Sequence, residues 1–307
     1  MSDATSAAIE AAARAIRAGE LVAFPTETVY GLGAHALDAS AVARIFAVKG
    51  RPATSPLIVH VSSIAEARAL VSHWPPQAQA LAEAHWPGPL TLVCRKQPHV
   101  PDVVTAGLPT VGLRIPRHDV ALALLRAARV PIAAPSANRF TRLSPTRAGH
   151  VRAAFTRDEV AIVLEGGTSQ VGIESTVISL AGAEPLVLRP GTLAFPHFAR
   201  ASEPGAGAHA SPGQHHAHYR PRSRVVLVGA GAALPPGAGA GVWYSQPPGT
   251  ARDVRLPAEA AAYAARLYDT LHTLDAEGWA WLAIEAPPAG PAWDGVRDRL
   301  MRAAAQG

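Results

Sequence analysis

Short apolar runs that end in polar turns alternate with helical segments along most of the chain. Leu21 to Phe24 is the first such run, and a turn rich in Thr and Gly follows it at 25–33. A helix is predicted before this run at 8–18, and a second apolar run lies at 56–61. Apolar runs of about four to eight residues bounded by Pro and Gly are typical of buried strands. This alternation predicts an α/β protein with α+β character.

The same pattern predicts the other elements of the chain. We expect helices at 40–48, 63–72, 76–85 and 120–129, and strands at 90–95, 110–115, 130–134, 160–165, 175–180 and 185–188. Near the C-terminus, we expect strands at 224–229, 241–244 and 279–284, and helices at 258–277 and 292–305. The two groups of elements indicate two separately folded units.

A segment between these units lacks regular periodicity. From 192 to 222, Pro, Gly, Ala and His replace the alternating elements. Such a composition packs poorly and is typical of a linker. We therefore predict a larger domain at 1–191, a flexible linker or lid at 192–222, and a small α/β domain at 223–307.

Composition excludes several classes of protein. Of the 307 residues, 49% are hydrophobic and 17% are charged, which is typical of a globular protein. The longest apolar stretch, 120–134, contains two arginines and a proline, so it falls short of the roughly 18 apolar residues of a membrane-spanning helix. The single cysteine, Cys94, can form neither an intramolecular disulfide nor a cysteine-based zinc site. We expect a soluble, cytoplasmic protein without membrane contact.

Basic residues indicate the chemistry of a ligand. The net charge is +5, and only Lys49 and Lys96 are lysines among the 28 basic residues. The cations near apolar segments are Lys49, Arg51, Arg114 and Arg189. Buried guanidinium groups need anionic partners. Carboxylates are scarce in these segments, so the sequence favours a ligand rich in phosphate or carboxylate.

Polar turns follow several of the predicted strands. Three of them collect Thr, Ser, Asn and Gly, around 26–28, 136–138 and 166–176. Turns of this kind supply backbone N–H groups and hydroxyls to ligand sites in α/β proteins. Each could be an ordinary turn, but together with the cations they predict a ligand site in the first domain.

Seven short motifs are spaced along the first domain. They are FPTETVYGLG at 24–33, KGRP at 49–52, PLIVH at 56–60, WPGPLT at 86–91, GLRIP at 112–116, PSAN at 135–138 and ESTV at 174–177. The linker contains SPG at 211–213 and HYRP at 218–221, and the C-terminus contains DRLMRAA at 298–304. With these motifs the chain resembles the YrdC-like family, and over its whole length the two-domain L-threonylcarbamoyladenylate synthases.

The resemblance implies a fold and an activity. The fold would be a YrdC-like twisted mixed sheet with a large concave cavity, followed by a small Rossmann-like domain. The activity would be that of a nucleotidyltransferase that joins L-threonine, bicarbonate and ATP into threonylcarbamoyl-AMP and releases pyrophosphate, with Mg²⁺ assisting. The product serves the N6-threonylcarbamoyladenosine modification of tRNA. Transfer partner proteins of that pathway, and weak or no direct binding of tRNA, are therefore implied as well.

The resemblance also implies roles for individual residues. Lys49 and Arg51 would be catalytic and face the triphosphate. The threonine would be held by Thr28, His60, Arg114, the backbone of Ala134 and Ser175. The ATP site would consist of Lys49, Arg51, Ser55, Thr110, Ser136, Asn138, Ser144, Arg189 and Tyr219. No residue is implied as a metal ligand, and Tyr219 would make the linker a lid over the site.

Three other interpretations each fit one feature of the sequence. The run at 225–233 is similar to a dinucleotide-binding fingerprint of an oxidoreductase, but Leu234 replaces its third glycine and the prolines at 235–236 exclude the required helix. A non-catalytic RNA-binding module fits the positive charge but lacks a stacked-aromatic motif and a lysine-rich face. A metal site in the linker would use His209, His215, His216 and His218, yet no regular structure is predicted to fix their spacing.

Overall fold

The computed structural model describes residues 3–201, 218–229 and 232–305. The first unit contains, in chain order, α1 (Asp3–Arg17), β1 (Val22–Phe24), β2 (Gly31–His35), α2 (Ala39–Lys49), β3 (Ile58–His60), α3 (Ile64–Ala69), α4 (Pro76–His85), β4 (Leu90–Arg95), α5 (Asp102–Thr105), β5 (Thr110–Arg114), α6 (Asp119–Ala128), β6 (Ile132–Ala133), α7 (Ala148–Ala154), β7 (Ile162–Val163), β8 (Thr176–Ser179), β9 (Leu186–Arg189) and β10 (Ala199–Arg200). The second contains β11 (Arg224–Val228), β12 (Gly239–Trp243), β13 (Arg252–Arg255), α8 (Ala260–Glu277), β14 (Trp281–Glu285) and α9 (Asp294–Ala304).

The ten strands of the first unit form one mixed sheet. Their order is β10-β9-β8-β4-β5-β3-β6-β2-β1-β7. β3 and β5 are parallel, as are β4 and β8, whereas β4 and β5 are antiparallel. Most of the buried apolar residues of β3, β4 and β5 belong to the main core, and α1 packs with α6 over a second apolar cluster. The prediction of a mixed-sheet α/β fold is confirmed.

The second unit contains a separate, fully parallel sheet. Its strand order is β11-β14-β12-β13, and each neighbouring pair is parallel. α8 connects β13 to β14 and packs its Tyr and Leu side chains into the core of this unit. A parallel sheet with a crossover helix is the arrangement of Rossmann-like units. In the described residues between β11 and β12, which exclude Ala230 and Gly231, no helix follows the glycine-rich turn, against the dinucleotide-binding interpretation.

One predicted turn is wrong in part. We expected a turn through Gly33, but residues from Gly31 onward form β2, paired antiparallel with β1. The two glycines permit close packing rather than a tight turn. A Cβ atom on Gly33 would lie 2.8 Å from Ile132 Cγ2 and 2.9 Å from Phe24 Cε1. Glycine inside a strand often marks such a close approach, which composition does not distinguish from a turn.

The start of the predicted linker packs against the first unit. Leu193, Phe195 and Phe198 contact its main core, and Ala199–Arg200 extends the sheet beside β9. Spaced aromatic residues therefore hold this part in place despite the surrounding Pro, Thr and Ala. The rest of the predicted linker up to Ala217, including the SPG motif and three of the four histidines, lies outside the described residues.

The two units are in close contact. A Cβ atom on Gly172 would lie 2.2 Å from the carbonyl oxygen of Ala264 in α8, and one on Gly295 in α9 would lie 2.5 Å from that of Gly191. An apolar cluster crosses the contact and includes Ile173 from the first unit. These contacts fix α8 against the segment that precedes β8, and α9 against the segment that follows β9.

In the part of the chain that the structure describes, none of the helices has the length and apolar character needed to cross a bilayer.

Candidate active site

Polar residues of four strands meet at one edge of the large sheet. His60 and Arg114 end the parallel strands β3 and β5 and are paired in register. Ser175 immediately precedes β8, and Arg189 ends β9, which is antiparallel to β8. Because ends of parallel strands and starts of antiparallel ones lie at the same edge, these four residues converge.

A small cavity of about 50 Å³ lies at this edge. Nine of the predicted site residues line it: Thr28, Arg51, His60, Arg114, Ala134, Ser136, Ser175, Arg189 and Tyr219. They come from both the predicted threonine site and the predicted ATP site. The structure therefore brings together residues that are far apart in sequence.

Arg114 is held by three groups around its guanidinium. Its Nη1 donates to Thr28 Oγ1 at 2.9 Å, and its Nε donates to the carbonyl oxygen of Gly88 at 3.1 Å. Its Nη2 forms an ion pair with Glu27 Oε2 at 2.8 Å, but neither Glu27 oxygen nor Nη2 makes a hydrogen bond within the described residues. The expectation that such arginines lack carboxylate partners is wrong for Arg114. Glu27 follows β1 in a tight turn, and the fold rather than the local sequence brings it to β5.

Arg189 and Ser175 form the opposite wall of the cavity. Arg189 Nε and Nη2 donate to the carbonyl oxygen of Ser175 at 3.2 and 3.0 Å, and Nη2 also reaches Ser175 Oγ at 3.2 Å. The Ser175 hydroxyl lies 2.8 Å from Thr91 Oγ1. The Ser175 side chain is thus oriented by β4 on one side and β9 on the other.

Lys49 occupies a buried position behind the cavity. It is the last residue of α2, which ends at Gly50 in the left-handed conformation (φ 63°). Its Nζ donates to the carbonyl oxygens of Ser136 and Asn138 at 2.6 and 2.5 Å. Burial, together with Arg51 and Arg139, holds the pKa of Lys49 well below its ordinary value. An anionic ligand nearby would stabilise the charged ammonium.

Arg51 follows Lys49 after the glycine and points into the cavity. Its Nη2 donates to Ser55 Oγ at 2.7 Å and to the carbonyl oxygen of Pro56 at 3.1 Å. Burial lowers the pKa of Arg51 to about 10, so the group remains a cation at neutral pH. Ser55 therefore contacts Arg51 and does not line the cavity itself.

The other predicted ATP-site residues lie around the cavity rather than in it. Asn138 donates to the carbonyl oxygens of Arg139 and Arg142 and lines a wider cavity of about 660 Å³ between the two units. Ser144 donates to Glu174 Oε1 at 2.5 Å. Thr110 lies at the opposite end of β5 from Arg114, about 13 Å away at the usual strand rise.

His60 is buried and uncharged. Burial and the nearby Arg114 lower the pKa of His60 to about 3. Its ring meets that of Phe24 edge to face at 5.8 Å, and within the described residues its Nδ1 has no hydrogen-bond partner. A buried neutral imidazole with one unpartnered nitrogen is suited to a hydrogen bond with a ligand hydroxyl or amine.

Tyr219 and His218 reduce the expected large cavity. Tyr219 is 1% exposed, and its ring lies 4.1 Å from that of His218 and 5.9 Å from that of Tyr268. The amide of Arg220 donates to the carbonyl oxygen of Thr141 at 2.8 Å. The end of the linker thereby closes the sheet edge, which explains why the cavity is far smaller than the sequence led us to expect.

Several residues of the site were missed by sequence reasoning. Glu27 and Glu174 line or adjoin the cavity, and both stand inside motifs that were recognised for their neighbours. Arg299 from α9 contacts Glu174 Oε2 at 2.7 Å. In the sequence, Arg299 stands out only as part of the motif at 298–304, and that motif does not indicate that Arg299 binds Glu174.

The described residues contain no group of three or more His, Cys, Asp or Glu side chains arranged to hold a metal ion. The two carboxylates at the cavity are already close to arginines, Glu27 to Arg114 and Glu174 to Arg299.

Comparisons with known proteins give the family. The model of the Sua5/YciO/YrdC family, described as "Telomere recombination", matches residues 14–191. A second model, "Threonylcarbamoyl-AMP synthase, C-terminal domain", matches residues 193–305. Together the two matches extend over both sheets of the structure.

Individual relatives agree with these matches. Threonylcarbamoyl-AMP synthases of Pyrococcus abyssi and Bacillus subtilis are 45% and 42% identical to the chain, over 72% and 71% of its length. The alignments span 67% and 66% of those relatives. The crystal structure of P. abyssi Sua5 complexed with L-threonine is 37% identical, with a TM-score of 0.89, over 96% of this chain and 94% of that one. The chain therefore belongs to the Sua5/YrdC family and has the two-domain form of its threonylcarbamoyl-AMP synthases.

Proposed function

We propose that the chain forms threonylcarbamoyl-AMP and pyrophosphate from L-threonine, bicarbonate and ATP in the cavity at the sheet edge, as a nucleotidyltransferase. The observation that carries this proposal is the arrangement of Arg51, Arg114 and Arg189 around one cavity that also contains His60 and Ser175. Two anionic reactants need cations on both sides to approach each other.

Threonine binds on the Arg114 side of the cavity in this proposal. The planar guanidinium of Arg114 is suited to a carboxylate, and Glu27 and Thr28 already fix its orientation. The hydroxyls of Thr28 and Ser175 and the neutral ring of His60 offer partners for the amine and hydroxyl. The N–H of Ala134 donates to Ile58, so the carbonyl oxygen is the backbone group with which Ala134 would accept a bond from the substrate.

The nucleotide binds on the side of Lys49, Arg51 and Arg189. The carboxylate oxygen of N-carboxythreonine attacks the α-phosphorus, the bond from this phosphorus to the oxygen bridging to the β-phosphate breaks, and pyrophosphate leaves. Lys49 and Arg51 stabilise the charge on the phosphates, and Ser136, Asn138, Ser144, Ser55 and Thr110 complete the site. Mg²⁺ enters as the complex with ATP in this proposal.

The end of the linker acts as a lid in this proposal. Ligand cavities usually measure about 300–1,000 Å³, so ATP does not fit into the present cavity of about 50 Å³ unless Tyr219 and His218 move. Tyr219 has a positive φ of 60°, a conformation that is costly for a tyrosine by about 1–2 kcal/mol. A lid also keeps water from an adenylate that hydrolyses easily.

The proposal includes the wider setting of the enzyme. The parts at 1–191, 192–222 and 223–307 act as catalytic domain, lid and C-terminal domain. The product passes to partner proteins of tRNA modification in the cytoplasm, with weak or no direct tRNA contact. The alternative function is that of a non-catalytic RNA-binding module. RNA binding without formation of the adenylate would favour it.

The test is identification of the product. The protein is incubated with threonine, bicarbonate, ATP and Mg²⁺, and the mixture is analysed by mass spectrometry. We expect a species with the mass of threonylcarbamoyl-AMP that gains one mass unit when ¹³C-bicarbonate is used. Absence of this species with protein that binds threonine would contradict the proposal.

A further inference from the structure

Arg299 is a fully buried arginine that the second unit contributes to the edge of the cavity. It belongs to α9 and has an exposed fraction of 0%. Its Nε donates to Glu174 Oε2 at 2.7 Å and its Nη2 to the carbonyl oxygen of Glu174 at 3.1 Å. Its Nη1 donates to the carbonyl oxygen of Pro190 at 2.8 Å and to Asp298 Oδ2 at 2.8 Å. One guanidinium thus binds the backbone just before β8 begins and just after β9 ends.

Glu174 is the acceptor at the centre of this contact. Besides Arg299, its carboxylate accepts from Ser144 Oγ at 2.5 Å and from the hydroxyl of Tyr268 at 3.2 Å. Burial opposes its ionisation, but the fields of Arg299 and Arg189 together hold the pKa of Glu174 below its ordinary value. Glu174 is therefore an anion that interacts electrostatically with two cations, Arg299 of the second unit and Arg189 of the first.

The position of Glu174 links it to the substrates. It lines the cavity and directly precedes Ser175, whose carbonyl and hydroxyl oxygens accept from Arg189. A buried carboxylate that loses one cationic partner interacts more strongly with the remaining cation nearby. If Arg299 did not hold Glu174, the charge of Arg189 would be drawn from the nucleotide side towards this carboxylate.

Arg299 also supports the lid. Its Cζ lies 5.5 Å from the centroid of the Tyr219 ring. The amide of His218 donates to the carbonyl oxygen of Arg302 one turn further along α9, at 3.3 Å. The close approach of Gly295 to Gly191 leaves no space for α9 to shift towards β9. The guanidinium therefore occupies a fixed place under the ring.

We propose that Arg299 is a positioning residue of the ATP site, which holds Glu174 so that Arg189 stays directed at Ser175 and the nucleotide, and which supports Tyr219 from below. The second unit thereby contributes to catalysis without touching the reactants. The proposal rests on the synthase function of the same cavity.

The test compares Arg299→Met with the double variant Glu174→Gln/Arg299→Met. For each protein, pyrophosphate release gives kcat and the KM for ATP, and calorimetry without ATP gives threonine affinity. We expect Arg299→Met to raise the KM for ATP at least about tenfold, while threonine affinity changes less than about threefold. The additional change Glu174→Gln removes the negative charge that would attract Arg189. The double variant should therefore have a KM for ATP close to that of wild type.

A purely structural role of Arg299 predicts a different outcome. It would make the double variant at least as defective as the single one, and this result would overturn the proposal. An ATP KM of Arg299→Met within about twofold of wild type would also overturn it. Arg297→Ala is the matched control, because Arg297 lies on the same helix and donates to Pro287 within the second unit. It should behave as wild type.

Arg299→Lys decides the question if Arg299→Met does not fold. Lysine keeps a charge for Glu174 but cannot make the guanidinium's several bonds, so a raised KM for ATP with unchanged threonine affinity is expected. A wild-type KM for ATP would overturn the proposal. If wild-type protein shows no release dependent on threonine and bicarbonate, the synthase function itself fails and this inference with it.

Discussion

Arg114 Nη2 lies 2.8 Å from Glu27 Oε2, and both side chains are buried. Glu27 pairs with the guanidinium of Arg114, and Nη1 of the same guanidinium donates to Thr28 Oγ1. Arg114→Ala should therefore raise the KM for threonine by about 10- to 100-fold, because a charge-assisted bidentate contact is lost, while the KM for ATP changes much less.

Steady-state kinetics with each substrate varied in turn measures this difference. Arg117→Ala is the control, since Arg117 is exposed and lies three residues away. A threonine KM that stays within about twofold of wild type in folded Arg114→Ala would remove Arg114 from the threonine site.

The charge at the phosphates gives a second prediction. Lys49→Ala or Arg51→Ala should lower kcat on the order of 100-fold or more, as expected when a preorganised electrostatic contact is removed. Lys96→Ala is the matched control, because this lysine pairs with Asp102 away from the cavity. Circular dichroism checks folding, since Lys49 also bonds two carbonyl oxygens. A kcat of Lys49→Ala equal to that of Lys96→Ala contradicts its catalytic role.

Several elements could be predicted with their observed bounds, and others could not. α4 and β4 were predicted at the residues where they occur, because Pro76 opens the helix and the Trp86–Pro89 breaker separates it from an apolar run. The prediction of a turn at β2 is wrong, because its two glycines serve contacts with Phe24 and Ile132 that only the folded sheet creates.

The same limit applies to the site. Motifs identified Arg114, Ser175 and Arg189, which the fold brings to one cavity. The bond between Arg299 and Glu174 joins residues 125 positions apart in sequence. No local pattern encodes such a pair, because it depends on how α9 packs against the first unit.

Movement of the lid gives a third prediction. In the proposed lid, ATP takes the volume that Tyr219 now occupies, so ATP alone should accelerate limited proteolysis after Tyr219 or Arg222. Addition of threonine and bicarbonate should slow it again, as the ring closes over the adenylate. Equal cleavage rates without ligand, with ATP alone, and with ATP, threonine and bicarbonate would show that the linker has no part in the reaction cycle.

Stability at acid pH gives a fourth prediction. Burial, the stacked ring of His272 at 3.8 Å and Arg147 lower the pKa of His150 to about 3. Histidine in the unfolded chain has a pKa of about 6.5, so the unfolded state binds more protons between pH 6.5 and 3. The folded state therefore loses stability as the pH falls through this window, and Asp269 Oδ1, 3.7 Å from His150 Nε2, offsets part of this loss once the ring is protonated.

Urea unfolding at pH 7.5 and pH 5 measures this loss. His150→Gln should show a smaller loss of unfolding free energy than wild type, whereas the exposed His73→Gln should match wild type. If His150→Gln loses as much stability at pH 5 as wild type, then His150 is not buried in its neutral form.

The synthase function is tested most directly by pyrophosphate release with each substrate omitted in turn. Wild-type protein, ATP and Mg²⁺ are kept constant, and threonine and bicarbonate are left out separately from a bicarbonate-depleted buffer. Because the proposed attacking group is the carboxylate of N-carboxythreonine, we predict that either omission abolishes release above background. Release that continues unchanged without threonine or bicarbonate would contradict the account and identify a nucleotide hydrolase instead.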